Sequence, residues 1–142
     1  MLKQLSVFIE NREGRICELA EVLTNHNINI YTLSLADTAD YGMVRMIVNN
    51  AMKAYNALKE AGYSTMVVDV IAVKVTQEVG SFYHFVKLLV ANGISVEYIY
   101  TLMFQCEPSL ILKVSDVELS IQILTSAGYE LVNALDIEGV DL

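Results

Sequence analysis

The feature that most constrains the fold is an internal repeat at a constant offset of 66 residues. It pairs loop, core and capping positions: Gly14 with Gly80, Ile16 with Phe82, Leu19 with Phe85, Leu23 with Leu89, Ile28 with Ile94, Asn50 with Asp116, Leu58 with Leu124, and Ala61-Gly62-Tyr63 with Ala127-Gly128-Tyr129. One offset shared by positions with such different roles indicates two copies of one folding unit. We place the first domain at residues 1–68 and the second at residues 69–142.

The first copy has the pattern of a β-α-β-β-α-β unit. Alternating apolar residues predict a strand over Lys3 to Glu10, and apolar residues at helical spacing predict a helix that follows Gly14 and ends near Asn25. The remaining elements are predicted from turn and capping residues: strands over Ile28 to Ala36 and Met43 to Val48, a helix capped by Asn50 and ended by Gly62, and a strand from Ser64. The fold class is therefore α+β, with two tandem ferredoxin-like units whose antiparallel sheets carry helices on one face.

The junction between the copies has no linker composition. Between Ser64 and Thr76 the last strand of the first unit is expected to end and the first strand of the second to begin, without a stretch rich in Gly, Pro or Ser.

Composition excludes several classes of function. The chain of 142 residues has a net charge of −8 and no cluster of Lys or Arg, which argues against nucleic acid and anionic membranes as partners. Apolar residues make up 54% of the chain and the mean hydropathy is +0.44, so we expect an oligomer that covers apolar surface. The N-terminus lacks the apolar core of a signal peptide and no apolar run reaches membrane-spanning length, which favours the cytoplasm.

The segment from Glu10 to Ile16 is where we expect a ligand. Gly14 lies between a predicted strand and a predicted helix, where a glycine lets the backbone approach a bound group. The first turn of the helix presents amides without helical partners, and the positive end of the helix dipole suits a carboxylate. The structural alternative is that Asn11 only caps the helix and that Gly14 only turns the chain.

Catalysis is not expected. His26 and His84 have no His, Cys or Asp at metal-ligand spacing on the same face, and Cys17 and Cys106 form no metal or disulfide pattern. Cys17 is interpreted as a packing residue of the first helix. We therefore predict neither a metal site nor a cofactor.

Two segments of the first copy resemble the ACT domain family, and the resemblance covers nearly the whole chain. The segments are Asn11-Arg12-Glu13-Gly14-Arg15-Ile16 and Asn27-Ile28-Asn29-Ile30. The family consists of small regulatory domains that pair with each other and bind free amino acids at their interfaces. In its serine-sensing members one asparagine in the loop and another at the start of the second strand hold the ligand, and by position these are similar to Asn11 and Asn29.

The resemblance thus implies a set of ligand-binding residues, and it leaves the amino acid open. The set is Asn11, Arg12, Glu13, Gly14, Arg15, Ile16, Asn29 and Ile30. Glu13 stands where the family usually has proline, and Ile9 where the serine sensor has a histidine. The second copy is the weaker match, with Gln77 and Ser95 replacing the two asparagines, and its candidates are Gln77, Val79, Gly80, Ser81 and Ser95.

The function implied by the resemblance is regulatory and not enzymatic. The chain is expected to bind a free amino acid or a similar small carboxylate, to form a homodimer and to act in trans on a metabolic enzyme. The alternative is a module that binds no small molecule and serves dimerisation, or a regulatory subunit of a biosynthetic enzyme such as acetolactate synthase.

Overall fold

The computed structural model describes residues 1–10, 12–37 and 40–138. The chain forms two compact units. The N-terminal unit contains Lys3–Val68 together with the described residues 135–138, and the C-terminal unit contains Met1–Leu2 and Asp69–Ala134. The division into domains 1–68 and 69–142 remains our proposal.

The N-terminal unit has the predicted β-α-β-β-α-β order. Its elements are β1 (Leu2–Glu10), α1 (Arg15–Asn25), β2 (Ile30–Asp37), β3 (Tyr41–Val48), α2 (Ala51–Glu60) and the beginning of β4 (Ser64–Lys74). The strand order is β2-β3-β1-β4. The predicted helix cap is confirmed, because the side chain of Asn50 accepts a hydrogen bond from the Lys53 N–H at 3.1 Å. The prediction for the junction is wrong, because β4 is a single strand that continues past Val68.

Strand register fixes which residues share an edge of this sheet. Both β1 and β2 run antiparallel to β3, and Ile9 and Asp37 both lie opposite Gly42. The ends of β1 and β2 therefore lie at the same edge as the start of β3, which we call the loop edge. The start of β2 lies at the opposite edge, which we call the far edge.

The C-terminal unit repeats this plan with a shortened last strand. It contains the second part of β4, α3 (Ser81–Ala91), β5 (Val96–Phe104), β6 (Glu107–Val114) and α4 (Val117–Ser126). In place of a final strand, Leu131 forms an isolated antiparallel bridge with Val73. The short helix α5 (Ala134–Glu138) was not predicted, and its Ile137 carbonyl accepts a hydrogen bond from the Tyr31 hydroxyl within the N-terminal unit at 3.2 Å.

The two cores reproduce the sequence repeat. The buried cluster of the C-terminal unit consists of Ile71, Val73, Phe85, Leu89, Ile94, Leu112, Val114 and Leu124. Each of these lies 66 positions after a member of the buried cluster of the N-terminal unit. Burying equivalent side chains under equivalent helices gives each copy its own core, as the duplication predicts.

Candidate functional site

The loop after β1 is shaped by two local backbone hydrogen bonds and a glycine in the left-handed conformation. The Arg12 N–H donates to the Glu10 carbonyl at 2.9 Å, and the Arg15 N–H donates to the Arg12 carbonyl at 3.3 Å. Gly14 has φ of 82°, a conformation in which a Cβ is unfavourable, and α1 begins at the next residue. The predicted ligand residue Asn11 lies outside the described residues.

This corner leaves backbone amides at the start of α1 without helical partners. The first helical bond runs from the Glu18 N–H to the Gly14 carbonyl at 3.1 Å. The amides of Ile16 and Cys17 lie before it in the first turn and have no carbonyl one turn earlier within the helix. Because Gly14 is the N-cap residue, it has no side chain that could accept from them. With the helix dipole, these donors favour an anionic group at this point.

The arginines of the loop are neutralised by neighbouring glutamates. Arg12 forms ion pairs with Glu10 and Glu18, both at 3.1 Å, and Arg15 reaches Glu18 at 2.9 Å. The hydrogen bond to Glu10, and then that to Glu18, raises the pKa of Arg12. The hydrogen bond from Arg15, and then that from Arg12, lowers the pKa of Glu18. The attraction of this loop for an anion therefore depends mainly on the backbone amides at the start of α1.

Arg15 also covers an aromatic ring. Its guanidinium carbon lies 4.2 Å from the ring centroid of Tyr63, which is only 5% exposed. Guanidinium groups stack favourably on aromatic faces, and the long stem of arginine adds apolar contact. Arg15 is thus held between the Glu18 carboxylate and the Tyr63 ring.

A small cavity of about 100 Å³ lies beside the loop. It is lined by Ile9, Glu10, Arg12, Arg15, Ile16, Leu35 and Gly42. Small-molecule sites usually measure about 300–1,000 Å³, so this cavity matches one functional group better than a whole ligand. The lining residue Leu35 is itself exposed, and Leu33, two positions earlier on the same face of β2, is exposed as well.

The structure does not bring Asn29 and Ile30 to this cavity. Both lie at the far edge, where the Asn29 N–H donates to Asn49 Oδ1 at 3.0 Å. Asn49 lies seven positions after Gly42, which corresponds to about 24 Å at the rise of a strand. The predicted residues of the first copy therefore form two groups at opposite edges of one sheet.

Sequence reasoning missed the cavity residues contributed by other strands and the partner of Asn29. Leu35 and Gly42 line the cavity because the β2-β3 hairpin places them beside the end of β1. Asn49 is 2% exposed, and its Nδ2 has no hydrogen-bond partner among the described residues. The predicted hairpin could have indicated Leu35 and Gly42, since its register determines which residues lie beside the end of β1.

The second copy has the same corner and a larger cavity. Gly80 has φ of 90°, the Ser81 N–H donates to the Glu78 carbonyl at 3.2 Å, and the His84 N–H to the Gly80 carbonyl at 2.9 Å. A cavity of about 470 Å³ is lined by residues 74–76, 78, 79, 81, 84 and 128–130.

The weaker candidates of the second copy are divided in the same way as those of the first. Val79 and Ser81 line the larger cavity, whereas Gln77 is exposed outside its lining. Ser95 lies at the opposite end of the unit, where its N–H donates to Ser115 Oγ at 3.0 Å.

Among residues 1–10, 12–37 and 40–138, no group of His, Cys, Asp and Glu is arranged to hold a metal ion. No helix in these ranges combines the length and apolarity that a membrane crossing requires. Cys17 is exposed, so its interpretation as a packing residue is wrong. The His26 ring contacts its own helix, with Nδ1 at 2.8 Å from the Val22 carbonyl.

Comparisons with known proteins agree with this architecture. The family model described as "ACT domain pair" matches residues 1–139. Protein BT0572 from Bacteroides thetaiotaomicron is 33% identical, with a TM-score of 0.89 over 96% of this chain and 95% of that one. The regulatory subunit of aspartate kinase from Thermus thermophilus is 16% identical, with a TM-score of 0.63 over 89% of this chain and 92% of that one.

The same fold is found in the regulatory subunit of aspartate kinase from Thermus flavus. It is 16% identical, with a TM-score of 0.59 over 89% of this chain and 94% of that one. No curated protein matches the chain.

Proposed function

Since this chain belongs to the family of ACT domain pairs, we propose that it is a regulatory protein without catalytic activity that binds a free amino acid. The ligand, or a similar small carboxylate, binds at the Gly14 corner of the N-terminal unit. Binding then changes the activity of a separate enzyme of amino-acid metabolism.

The observation that carries the proposal is a helix N-terminus beside a cavity, since Ile16 lies in the first turn of α1 and lines that cavity. The N–H groups of Ile16 and Cys17 receive the carboxylate at the start of α1. The carboxylate of Glu10, which lines the cavity, accepts from the ligand's ammonium group. An amino acid needs donors and acceptors only a few ångströms apart, and this corner supplies both kinds.

A second copy of the chain completes the site in this proposal. The cavity of about 100 Å³ holds the charged end of an amino acid and leaves its side chain to be covered. Asn29 and Ile30 lie too far away to reach the cavity of their own unit, so they would act on the cavity of another copy. The exposed Leu35, which lines the cavity, and Leu33 on the same face of β2 supply apolar surface for such a homodimer.

Action in trans is proposed by analogy. The two Thermus proteins of similar fold are named as subunits that regulate aspartate kinase. We propose the same relation between this chain and a metabolic enzyme, in the cytoplasm and without a cofactor.

Thermal melts against each free amino acid test the proposal. A ligand bound only by the folded state at roughly 100 times its Kd adds about 2.7 kcal/mol of stability, so one or two amino acids should raise Tm. Asn11→Ala and Asn29→Ala should each abolish that shift, while the matched variants Gln77→Ala and Ser95→Ala of the second copy should keep it. A flat panel contradicts ligand binding, and a shift retained in both asparagine variants contradicts the site.

A second candidate function is an interaction module that binds no small molecule. The exposed apolar residues along the β2-β3 hairpin favour it, with Leu33 40%, Leu35 51% and Tyr41 49% exposed. This module predicts a flat melt panel and a dimer that Leu35→Lys disrupts in light scattering. A sensor predicts that the effective amino acid changes either Tm or the dimer.

A further inference from the structure

The two copies build the same turn after their last helix, and each turn presents a tyrosine. Gly62 and Gly128 have φ of 91° and 90°. The Tyr63 N–H donates to the Leu58 carbonyl and the Tyr129 N–H to the Leu124 carbonyl, both at 3.0 Å. The tyrosines therefore occupy equivalent positions relative to the glycine corner of their own unit.

Among the described residues, a cation covers the tyrosine of the first copy but not that of the second. Arg15 stacks on Tyr63 in the N-terminal unit, but the residue equivalent to Arg15 in the C-terminal unit is Ser81. The glutamate that anchors Arg15 has also changed, since Glu18 corresponds to His84. The second copy thus has the ring but lacks the guanidinium and its carboxylate partner.

The C-terminal unit has a cavity beside its tyrosine. The cavity of about 470 Å³ is lined by both Ser81 and Tyr129. Tyr129 is partly exposed, whereas Tyr63 is buried beneath Arg15. The ring of Phe85 lies 6.1 Å from that of Tyr129 in an edge-to-face arrangement, which fixes the orientation of the tyrosine.

The charges around this cavity favour a cationic ligand. Glu78 and Glu130 line it with carboxylates. Lys74 also lines it, and its ammonium pairs with Glu107 at 3.0 Å and with Oε2 of Glu130 at 3.2 Å, which leaves Glu78 and the second oxygen of Glu130 outside these pairs. Glu78 replaces Arg12 of the first copy, so a positive charge of the loop has become a negative one.

We propose that the cavity over Tyr129 is a binding site for a small molecule that carries a guanidinium group. The planar cation stacks on the Tyr129 ring as Arg15 stacks on Tyr63, and its N–H groups donate to the Glu78 carboxylate and to the Glu130 oxygen that Lys74 does not contact. This site lies in the C-terminal unit and does not depend on the amino-acid site proposed at the Gly14 corner.

Titration of the ¹⁵N-labelled protein with n-propylguanidinium tests the proposal by NMR. We expect saturable shifts of the amides of Ser81, Gly128 and Tyr129, with n-butylammonium as the matched cation binding at least roughly tenfold more weakly because it cannot stack as a plane. Absence of saturable shifts at these amides, or equal binding of the two cations, overturns the proposal.

The repeat supplies variants that fill one cavity and open the other. Ser81→Arg combined with His84→Glu recreates the arginine pair of the first copy and should weaken n-propylguanidinium binding at least roughly tenfold, because the protein's own guanidinium then occupies the ring. Arg15→Ser should add new saturable shifts at Gly62 and Tyr63. Unchanged binding in the double variant refutes the site.

A third variant keeps the test decisive if the double variant does not fold. Tyr129→Leu preserves apolar volume and removes the ring face, so binding should again fall at least roughly tenfold. Asn11→Ala should leave n-propylguanidinium binding unchanged, which separates failure of this proposal from failure of the amino-acid site. Unchanged binding in Tyr129→Leu refutes stacking on the ring.

Discussion

Substitution of Gly14 by alanine tests whether the loop corner depends on its left-handed backbone. Gly14 has φ of 82°, and a Cβ placed on it meets no heavy atom within 4 Å. The cost of Gly14→Ala is therefore purely conformational, about 1–2 kcal/mol for an L residue in this region. Since nothing clashes, the loop should keep its shape while the folded state loses stability.

Urea denaturation measures that cost. With a slope of about 2 kcal/mol per molar urea, the midpoint should fall by roughly 0.5–1 M in Gly14→Ala. Gly14→Asn should lose less than half as much, because asparagine tolerates the left-handed region better than alanine. An unchanged midpoint in Gly14→Ala would refute the argument that this conformation requires glycine.

Gly42 provides the matched control on the same cavity. Its φ is not positive, and an added Cβ would lie 3.1 Å from Leu35 Cδ1 and 3.4 Å from Ile9 Cγ1. Leu35 is 51% exposed and can move aside, so Gly42→Ala should cost less than about 1 kcal/mol. A larger loss in Gly42→Ala than in Gly14→Ala would mean that packing, and not backbone conformation, dominates this corner.

Three further predictions follow from equivalent contacts and from titration. Asn50→Ala and Asp116→Ala each remove a helix cap that accepts from a backbone N–H, at 3.1 and 3.0 Å respectively, and each should lower the free energy of unfolding by about 1 kcal/mol in urea denaturation. Leu58→Ala and Leu124→Ala each remove a side chain that is 0% exposed and should each cost about 2–5 kcal/mol in the same assay, so a large difference between them would contradict equivalent cores. Because the pKa of Glu18 is lowered, its carboxylate stabilises the fold above the ordinary glutamate pKa of about 4.3, and this contribution is lost as the pH falls through the lowered value. Glu18→Gln should therefore make stability in urea less dependent on pH between about 5 and 3.

The fold was predictable because the information for it is local and occurs twice. Alternation in β1, helical spacing in α1 and the capping residue Asn50 each depend on a few neighbouring residues. The duplication then checks every assignment, since an element in one copy predicts its equivalent in the other. The short last strand of the C-terminal unit was not predictable, because pairing with Val73 is a long-range contact.

The candidate site was predictable only in part. The glycine corner and its open amides follow from the order of strand, glycine and helix, which the sequence displays directly. The hairpin register decides that Leu35 and Gly42 line the cavity and that Asn29 lies at the other edge. The prediction that Asn11 and Asn29 bind the same ligand rests on the family resemblance. The resemblance does not determine whether both residues belong to the same unit.

The sequence by itself determined that this chain is one β-α-β-β-α-β unit made twice, because periodicity, caps and the constant offset of 66 residues are properties of the chain read in order. Only the tertiary structure decided that Arg15 covers Tyr63 while Ser81 leaves Tyr129 uncovered beside a cavity of about 470 Å³. The physical reason is that a cavity depends on how distant segments approach each other and on the path that each side chain takes, and neither is a function of spacing along the chain.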